Sequence, residues 1–253
     1  MNIKKLLSNP LSYLPYAKYL LAGYYFDFVM KYYRVNNCKF FIPKELTSLN
    51  GRGYFALNNY EKSEQQILKS FDFKDYAILE MGGCLGVISC LLNKTLRDPE
   101  KHIVIEANPK IIPYLEKNKI LNNCSFSIEN KIISDNDEET FYFGDSIVSG
   151  SLDTNKNSLE KVLIKTTSID KLQNQYSIHF NAIIMDIEGG EYYFFKTNQK
   201  FLNQIEVIMI EKHSSILSSD KIKEYEKILI SNNFKIKIQA DTSQLWIKSI
   251  NNP

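Results

Sequence analysis

The order of short apolar runs and helix-length segments after Leu57 constrains this chain more than any other feature. Residues 77–81, 102–106, 125–129, 182–187 and 206–211 read as strands, and residues 87–96, 110–121 and 220–231 as helices. Strands alternating with helices form βαβ units, because two parallel strands need a crossover that returns the chain to the same end of the sheet. The end of the chain differs. Residues 234–240 and 244–248 are separated by Asp241-Thr242-Ser243 alone, too short for a crossover, so these two strands pair antiparallel. The expected fold is α/β: a mostly parallel seven-stranded sheet with an antiparallel C-terminal hairpin and helices on both faces.

Ahead of this alternation, Tyr16, Leu20, Tyr24, Phe28 and Tyr32 recur every four positions and share one side of a helix. Lys18, Asp27 and Lys31 interrupt the apolar run, so it does not read as a membrane span. Residues 1–50 are expected to form an aromatic-rich helical extension, and 51–253 the main domain. Residues 11–33 leave two contacts open: packing on the main domain or a second copy, and peripheral contact with a membrane, where tyrosine rings and lysine stems suit the boundary. Within 39–57, the apolar runs 39–42 and 54–57 flank Pro43, Gly51 and Gly53, which predicts a pair of short strands.

Composition excludes several classes. With 31 Lys+Arg against 29 Asp+Glu the net charge is +2, and Arg34, Arg52 and Arg97 are the only arginines. A nucleic-acid partner is not expected from that balance. Cys38, Cys84, Cys90 and Cys124 form no C-x-x-C pair, and His102, His179 and His213 never stand four apart, so no metal site of zinc type is expected. Pro10 and Pro15 break the stretch after Lys4 and Lys5, which argues against a secretory leader. Reduced thiols and no leader predict a cytoplasmic protein, peripheral to the inner membrane if residues 11–33 bind it.

Three strand ends carry chemistry. After the first strand, Glu80-Met81-Gly82-Gly83-Cys84-Leu85-Gly86 opens a helix. Glycines there let the backbone approach a ligand, and the helix start offers free N–H groups. The spacing lacks the G-x-G-x-x-G of a dinucleotide site. A carboxylate at Glu80 is penalised beside a pyrophosphate and favoured beside an ammonium and a sulfonium, so the loop suits S-adenosylmethionine better than NAD. Glu106 closes the second strand where an acid accepts hydrogen bonds from ribose hydroxyls. Asn130, after the third strand, is placed either to meet an adenine or to make a simple turn.

The run Asp186-Ile187-Glu188-Gly189-Gly190-Glu191 delivers three carboxylates to the ligand-binding edge of the sheet. Such crowding raises pKa values and persists where it serves a ligand, a metal or proton transfer; Glu191 also suits the start of a helix. Glu211 and His213, two residues apart at the next strand end, point the same way in extended chain. Imidazole titrates near neutral pH, which makes His213 the first candidate general base.

These blocks together, with Tyr60-Glu61 and Thr167-Ser168-Ile169-Asp170, resemble the FkbM family of S-adenosylmethionine-dependent methyltransferases over residues 60–248. The family usually has Asp-Val-Gly-Ala-Asn after the first strand, where this chain has Glu80, Gly83 and Cys84 at the Asp, Ala and Asn positions. The resemblance implies a class I, Rossmann-like methyltransferase fold that binds S-adenosylmethionine and releases S-adenosylhomocysteine. Glu61, Glu80, Gly82, Gly83, Cys84, Gly86, Glu106, Ala107, Asn108, Asn130 and Asp186 are then the expected cofactor residues. His213 or Asp186 is the expected base, with Glu188 as a further catalytic residue and Glu211 beside it orienting the base or the acceptor, and Glu188, Glu191, Glu211 and His213 toward the substrate. A divalent cation on Asp186, Glu188 and His213 is the alternative to a protein base. The implied acceptor is a hydroxyl of a carbohydrate or surface-polysaccharide precursor, met by the Ser/Asn/Asp-rich segment 144–161. An amine or phosphoramidate-type acceptor, and a non-catalytic cofactor- or partner-binding module, are the alternatives.

Overall fold

The computed structural model describes residues 14–143, 150–151 and 160–249. Helix α1 (Leu14–Tyr25) runs into a π-helical turn, Phe26–Met30, followed by the hairpin β1 (Tyr33–Val35) and β2 (Cys38–Phe40), α2 (Leu49–Ala56) and α3 (Lys62–Ser70). The alternating region then comprises β3 (Ile78–Met81), α4 (Val87–Asn93), β4 (His102–Ile105), α5 (Ile112–Leu121) and β5 (Ser127–Glu129). Four strands follow in sequence: β6 (Ile132–Ile133), β7 (Glu138–Phe143), β8 (Gly150–Ser151) and β9 (Glu160–Thr167). The chain ends in α6 (Ile169–Tyr176), β10 (Ala182–Met185), α7 (Glu191–Thr197), β11 (Val207–Glu211), α8 (Ser219–Ser231), β12 (Phe234–Ala240) and β13 (Ser243–Lys248).

The main sheet has seven strands in the order β12-β13-β11-β10-β3-β4-β5. β13 runs antiparallel to β11 and β12, and the other neighbours pair parallel, as the short 241–243 connection requires. Side-chain alternation sends Leu79, Met81, Ile183, Met185, Ile208 and Ile210 into one core with α6, α7 and α8. Ile78, Ile184, Val207 and Met209 enter the other, with Ile67 of α3 and Ile88 of α4. Each such side chain contributes about 1.5–3 kcal/mol on burial. Ser168 and Ser218 cap α6 and α8, accepting from the N–H of Lys171 and Lys221.

Residues 54–57 are not a strand. They end α2, whose N-cap Ser48 accepts from the Gly51 N–H, and β2 pairs instead with β1. Gly53 is a contact point rather than a turn: a Cβ there would lie 2.0 Å from the Tyr19 carbonyl oxygen, so its absence lets α1 and α2 cross closely. The N-terminal elements share a core with the main domain, where Phe26, Tyr33, Phe40 and Phe55 pack with Leu85, Cys90 and Leu115. Asn118 on α5 and Asn122 at its C-cap stand one turn apart, and each both accepts from and donates to the backbone of the β2 segment, at Phe41 and Lys39. Among the described residues no helix is long and apolar enough to cross a membrane.

The second sheet, in the order β6-β9-β7-β8, departs from the sequence expectation. It is inserted between β5 and α6 around Ile132, Phe141 and Ile164. Segment 144–161 lies almost wholly outside the described residues; β8 and the start of β9 are its described parts.

Candidate active site

The chain leaves β3 toward β4 on one side and β10 toward β11 on the other, so the carboxyl ends of β3 and β10 border a crevice where neither crossover covers the sheet. A cavity of about 720 Å³ opens there. Gly82 sits at its base with φ +90°, and a Cβ would lie 1.7 Å from the Asp186 carbonyl oxygen. Only glycine lets the β3 loop and the β10 turn meet this closely.

The Glu106 carboxylate ties two loops together. Oε2 accepts from the Cys84 N–H at 2.8 Å and Oε1 from the Asn108 N–H at 2.7 Å. Burial pushes its pKa up to about 7, against those two donors. Gly82, Cys84, Glu106, Ala107, Asn108, Asp186 and Glu188 all line the cavity.

Other expected residues stand off it. Glu80 faces the opposite side of its strand, where Ser89 donates to Oε1 at 2.6 Å and His102 Nε2 lies 2.7 Å from Oε2. Its two oxygens are therefore taken up by Ser89 and His102 within the fold rather than by a ligand in the cavity. Gly83 packs under Val104 and Leu115, and Gly86 against Leu115. Asn130 donates to the Glu106 and Ala107 carbonyls at 2.7 and 3.0 Å, bracing that turn. Glu61 is also absent from the lining, yet its Oε2 is buried without a donor, and burial with Glu64 and Asp186 nearby holds its pKa well above normal.

Behind the cavity wall His213 organises the acids. Its Nδ1 lies 2.8 Å from Glu191 Oε1. Its Nε2 lies 3.2 Å from Asp186 Oδ1, 3.7 Å from Glu188 Oε2 and 3.9 Å from Glu211 Oε2. Asp186 Oδ1 is buried, with the His213 imidazole beside it. Burial alone lowers the His213 pKa, but Asp186 and Glu191 outweigh it and lift it to about 11. An imidazole held protonated accepts no proton, so the base role expected of His213 does not fit its surroundings. Glu191 is fully buried; its Oε1 also accepts from the Ile187 and Gly189 N–H groups, fixing the turn rather than facing a substrate. Glu211 accepts from Thr242 and, through burial and then Asp186, titrates at about 8. Asp186, Glu211 and His213 offer ligand atoms within 4.8 Å of one another, so this cluster, with Glu211 in place of Glu188, is where a divalent cation would sit.

The far half of the cavity escaped the sequence reading. Ser134, Asn136 and Phe141 approach from the second sheet, Tyr193, Thr197 and Asn198 from α7, and Lys221 from α8. The i, i+4 pair Tyr193 and Thr197 was the only local signal, and it becomes meaningful once α7 is known to start at the Glu191 turn.

Residues 80–236, more than half of the chain, match the model of the methyltransferase FkbM domain. The chain belongs to the FkbM methyltransferase family. No curated protein matches it. Among solved structures it is similar to precorrin-6y C5,15-methyltransferase from Geobacter metallireducens GS-15, with 9% identity and a TM-score of 0.48 over 83% of this chain and 93% of that one. It is also similar to an O-methyltransferase from Bacillus cereus in complex with SAH, with 11% identity and a TM-score of 0.45 over 75% and 81%. This FkbM-family protein is an S-adenosylmethionine-dependent methyltransferase.

The cavity fits that cofactor. Each Glu106 oxygen holds one N–H and keeps a lone pair for a ribose hydroxyl. Ile105, Ile111, Ile132 and Phe141 supply the apolar wall a nucleobase needs. Asp186 and Glu188 place acidic side chains on the cavity wall, where a sulfonium and an ammonium are favoured.

Proposed function

We propose that this methyltransferase acts on a hydroxyl oxygen of a carbohydrate or surface-polysaccharide precursor, with Asp186 as the proton acceptor. The carrying observation is the Asp186 carboxylate: the residue lines the cavity and is part-exposed, while its Oδ1 is buried toward His213 Nε2 at 3.2 Å. The far half supports a hydroxylated acceptor, since Ser134, Asn136, Thr197 and Asn198 give it a polar lining and Tyr193 is 52% exposed. An aromatic ring beside polar side chains suits a sugar.

S-adenosylmethionine supplies an electrophilic methyl group on a positively charged sulfur. Asp186 takes the proton from the acceptor hydroxyl. His213, fixed through Nδ1 by Glu191, holds Asp186 and Glu188 at their positions and offsets their charge. The cavity walls align the acceptor and exclude water, which supplies much of the rate enhancement when two reactants must meet in line. The test is S-adenosylhomocysteine formation across a panel of sugar nucleotides. Asp186→Asn is expected to lower kcat on the best acceptor by about 10²–10⁴-fold. Near-normal turnover removes the assignment; turnover on amines or phosphoramidates alone replaces the acceptor class. Failure to bind S-adenosylmethionine in calorimetry favours a non-catalytic module.

A further inference from the structure

Among the described residues, the outward face of α1 and its π-helical turn carries an apolar stripe that no other element covers. Leu21 is 71% exposed and Phe28 76%, with Tyr24, Tyr25 and Val29 also exposed. The spacing 21, 24, 25, 28, 29 follows one side of a helix. The π-helical turn keeps Phe28 and Val29 outside while Phe26 enters the core. The Tyr24 and Phe28 rings stack at 6.4 Å, making a continuous aromatic surface. The opposite side of α1 is occupied: a Cβ on Gly23 would lie 2.0 Å from the Leu49 carbonyl oxygen of α2.

Charge identifies what covers the stripe. Residues 1–40 contain Lys4, Lys5, Lys18, Lys31, Arg34 and Lys39 against a single acid, Asp27, whereas the whole chain is only +2. Asp27 is turned inward, held by Arg52 through Nε at 2.7 Å and Nη2 at 3.1 Å, with Lys44 at 3.3 Å. Lys18, Lys31 and Arg34 stay exposed. The outer side of this helix therefore presents apolar rings flanked by cations, with its one carboxylate withdrawn. A protein groove would need no such imbalance. An interface of acyl chains and anionic headgroups needs both halves of it.

We propose that the Leu21–Val29 stripe docks on the surface of a bilayer containing anionic lipid. Docking would hold the enzyme at a membrane while the cavity stays in water, and it stands apart from the identity of the acceptor.

The experiment is sedimentation of the full chain with vesicles of phosphatidylcholine alone or with about 30% phosphatidylglycerol. Binding is expected with the anionic vesicles and at least tenfold weaker without them, and it should fall with added salt, as headgroup attraction requires. The double variant Leu21→Ser/Phe28→Ser should lose roughly tenfold in partitioning or more while keeping its affinity for S-adenosylmethionine, which reports an intact fold. Phe28→Trp retains the apolar area, and its emission should shift blue and be quenched by brominated lipid. Equal binding to both vesicle types, no binding to either, or an unquenched tryptophan overturns the proposal. So does a solution dimer that the double variant dissociates without any vesicle binding, which assigns the stripe to a second copy.

Discussion

Glu106 makes the cofactor affinity a function of pH. In the ligand-free protein burial lifts its carboxyl from the usual 4.5 to about 7, although the N–H groups of Asn108 and Cys84 oppose the shift. A ribose diol donating to both oxygens needs both as acceptors, and the protonated carboxyl gives one of them up to an O–H, so the binding-competent fraction is the ionised one. The apparent Kd is then the intrinsic Kd divided by that fraction: about 1.1 times the intrinsic value at pH 8, about 11 times at pH 6 and about 30 times at pH 5.5. Below its pKa the group must shed its proton to bind, with about 0.9 proton released per cofactor at pH 6. Calorimetry in two buffers of different ionisation enthalpy reads the Kd and the proton count together. Glu106→Gln should flatten the pH dependence and weaken binding at pH 8 by about 10–100-fold, the value of two hydrogen bonds to a charged group less those the amide retains. A wild-type Kd that stays constant from pH 8 to pH 6, with no proton release, refutes the reasoning.

Ligand-free stability should move the other way. Folded Glu106 and Glu211 hold protons up to about 7 and 8 that the unfolded chain releases near 4.5. His213, raised from 6.5 to about 11, contributes stability that is complete below 6.5 and lost as pH rises through 11. All three make stability fall with rising pH, so the urea midpoint should be higher at pH 6 than at pH 9. His213→Gln should reduce the slope above neutrality and destabilise the protein by about 3–5 kcal/mol at pH 7, because Asp186, Glu188 and Glu191 lose their shared cation; an unchanged midpoint contradicts it. Gly53→Ala forces a Cβ to within 2.0 Å of the Tyr19 carbonyl oxygen and should cost about 1–3 kcal/mol in urea denaturation; a stabilised variant would mean that α1 and α2 are not closely packed. Because the imidazolium already balances the Asp186 cluster, EDTA should leave turnover unchanged. Loss of activity restored by Mn²⁺ would instead place a cation on Asp186, Glu211 and His213.

Much of the architecture is legible in local pattern. The five parallel strands of the main sheet and its terminal hairpin fall where runs such as 182–187 and 244–248 predict, because a strand buried on both faces must be apolar along its whole length. The second sheet is not legible. Polar and apolar residues mix in Glu138–Phe143 and Glu160–Thr167, and the three-residue core at Ile132, Phe141 and Ile164 joins positions far apart in the chain. Gly53 misled for a related reason: glycine marks a turn and a close helix crossing alike, and only the partner at Tyr19 distinguishes them.

The candidate site divides the same way. The motif positions Gly82, Glu106, Asp186 and Glu188 meet at one cavity because each ends a parallel strand, and neighbouring strand ends are neighbours in space. The chain's own text determined the family, the cofactor and which edge of the sheet carries chemistry. The tertiary structure decided what each acid does. Strand alternation turned Glu80 inward to His102, the Glu191 turn buried that carboxylate beneath His213, and the surrounding charges left the imidazole protonated and Asp186 exposed to the cavity. Side-chain direction and proton affinity depend on neighbours brought from elsewhere in the chain, and no local spacing contains them.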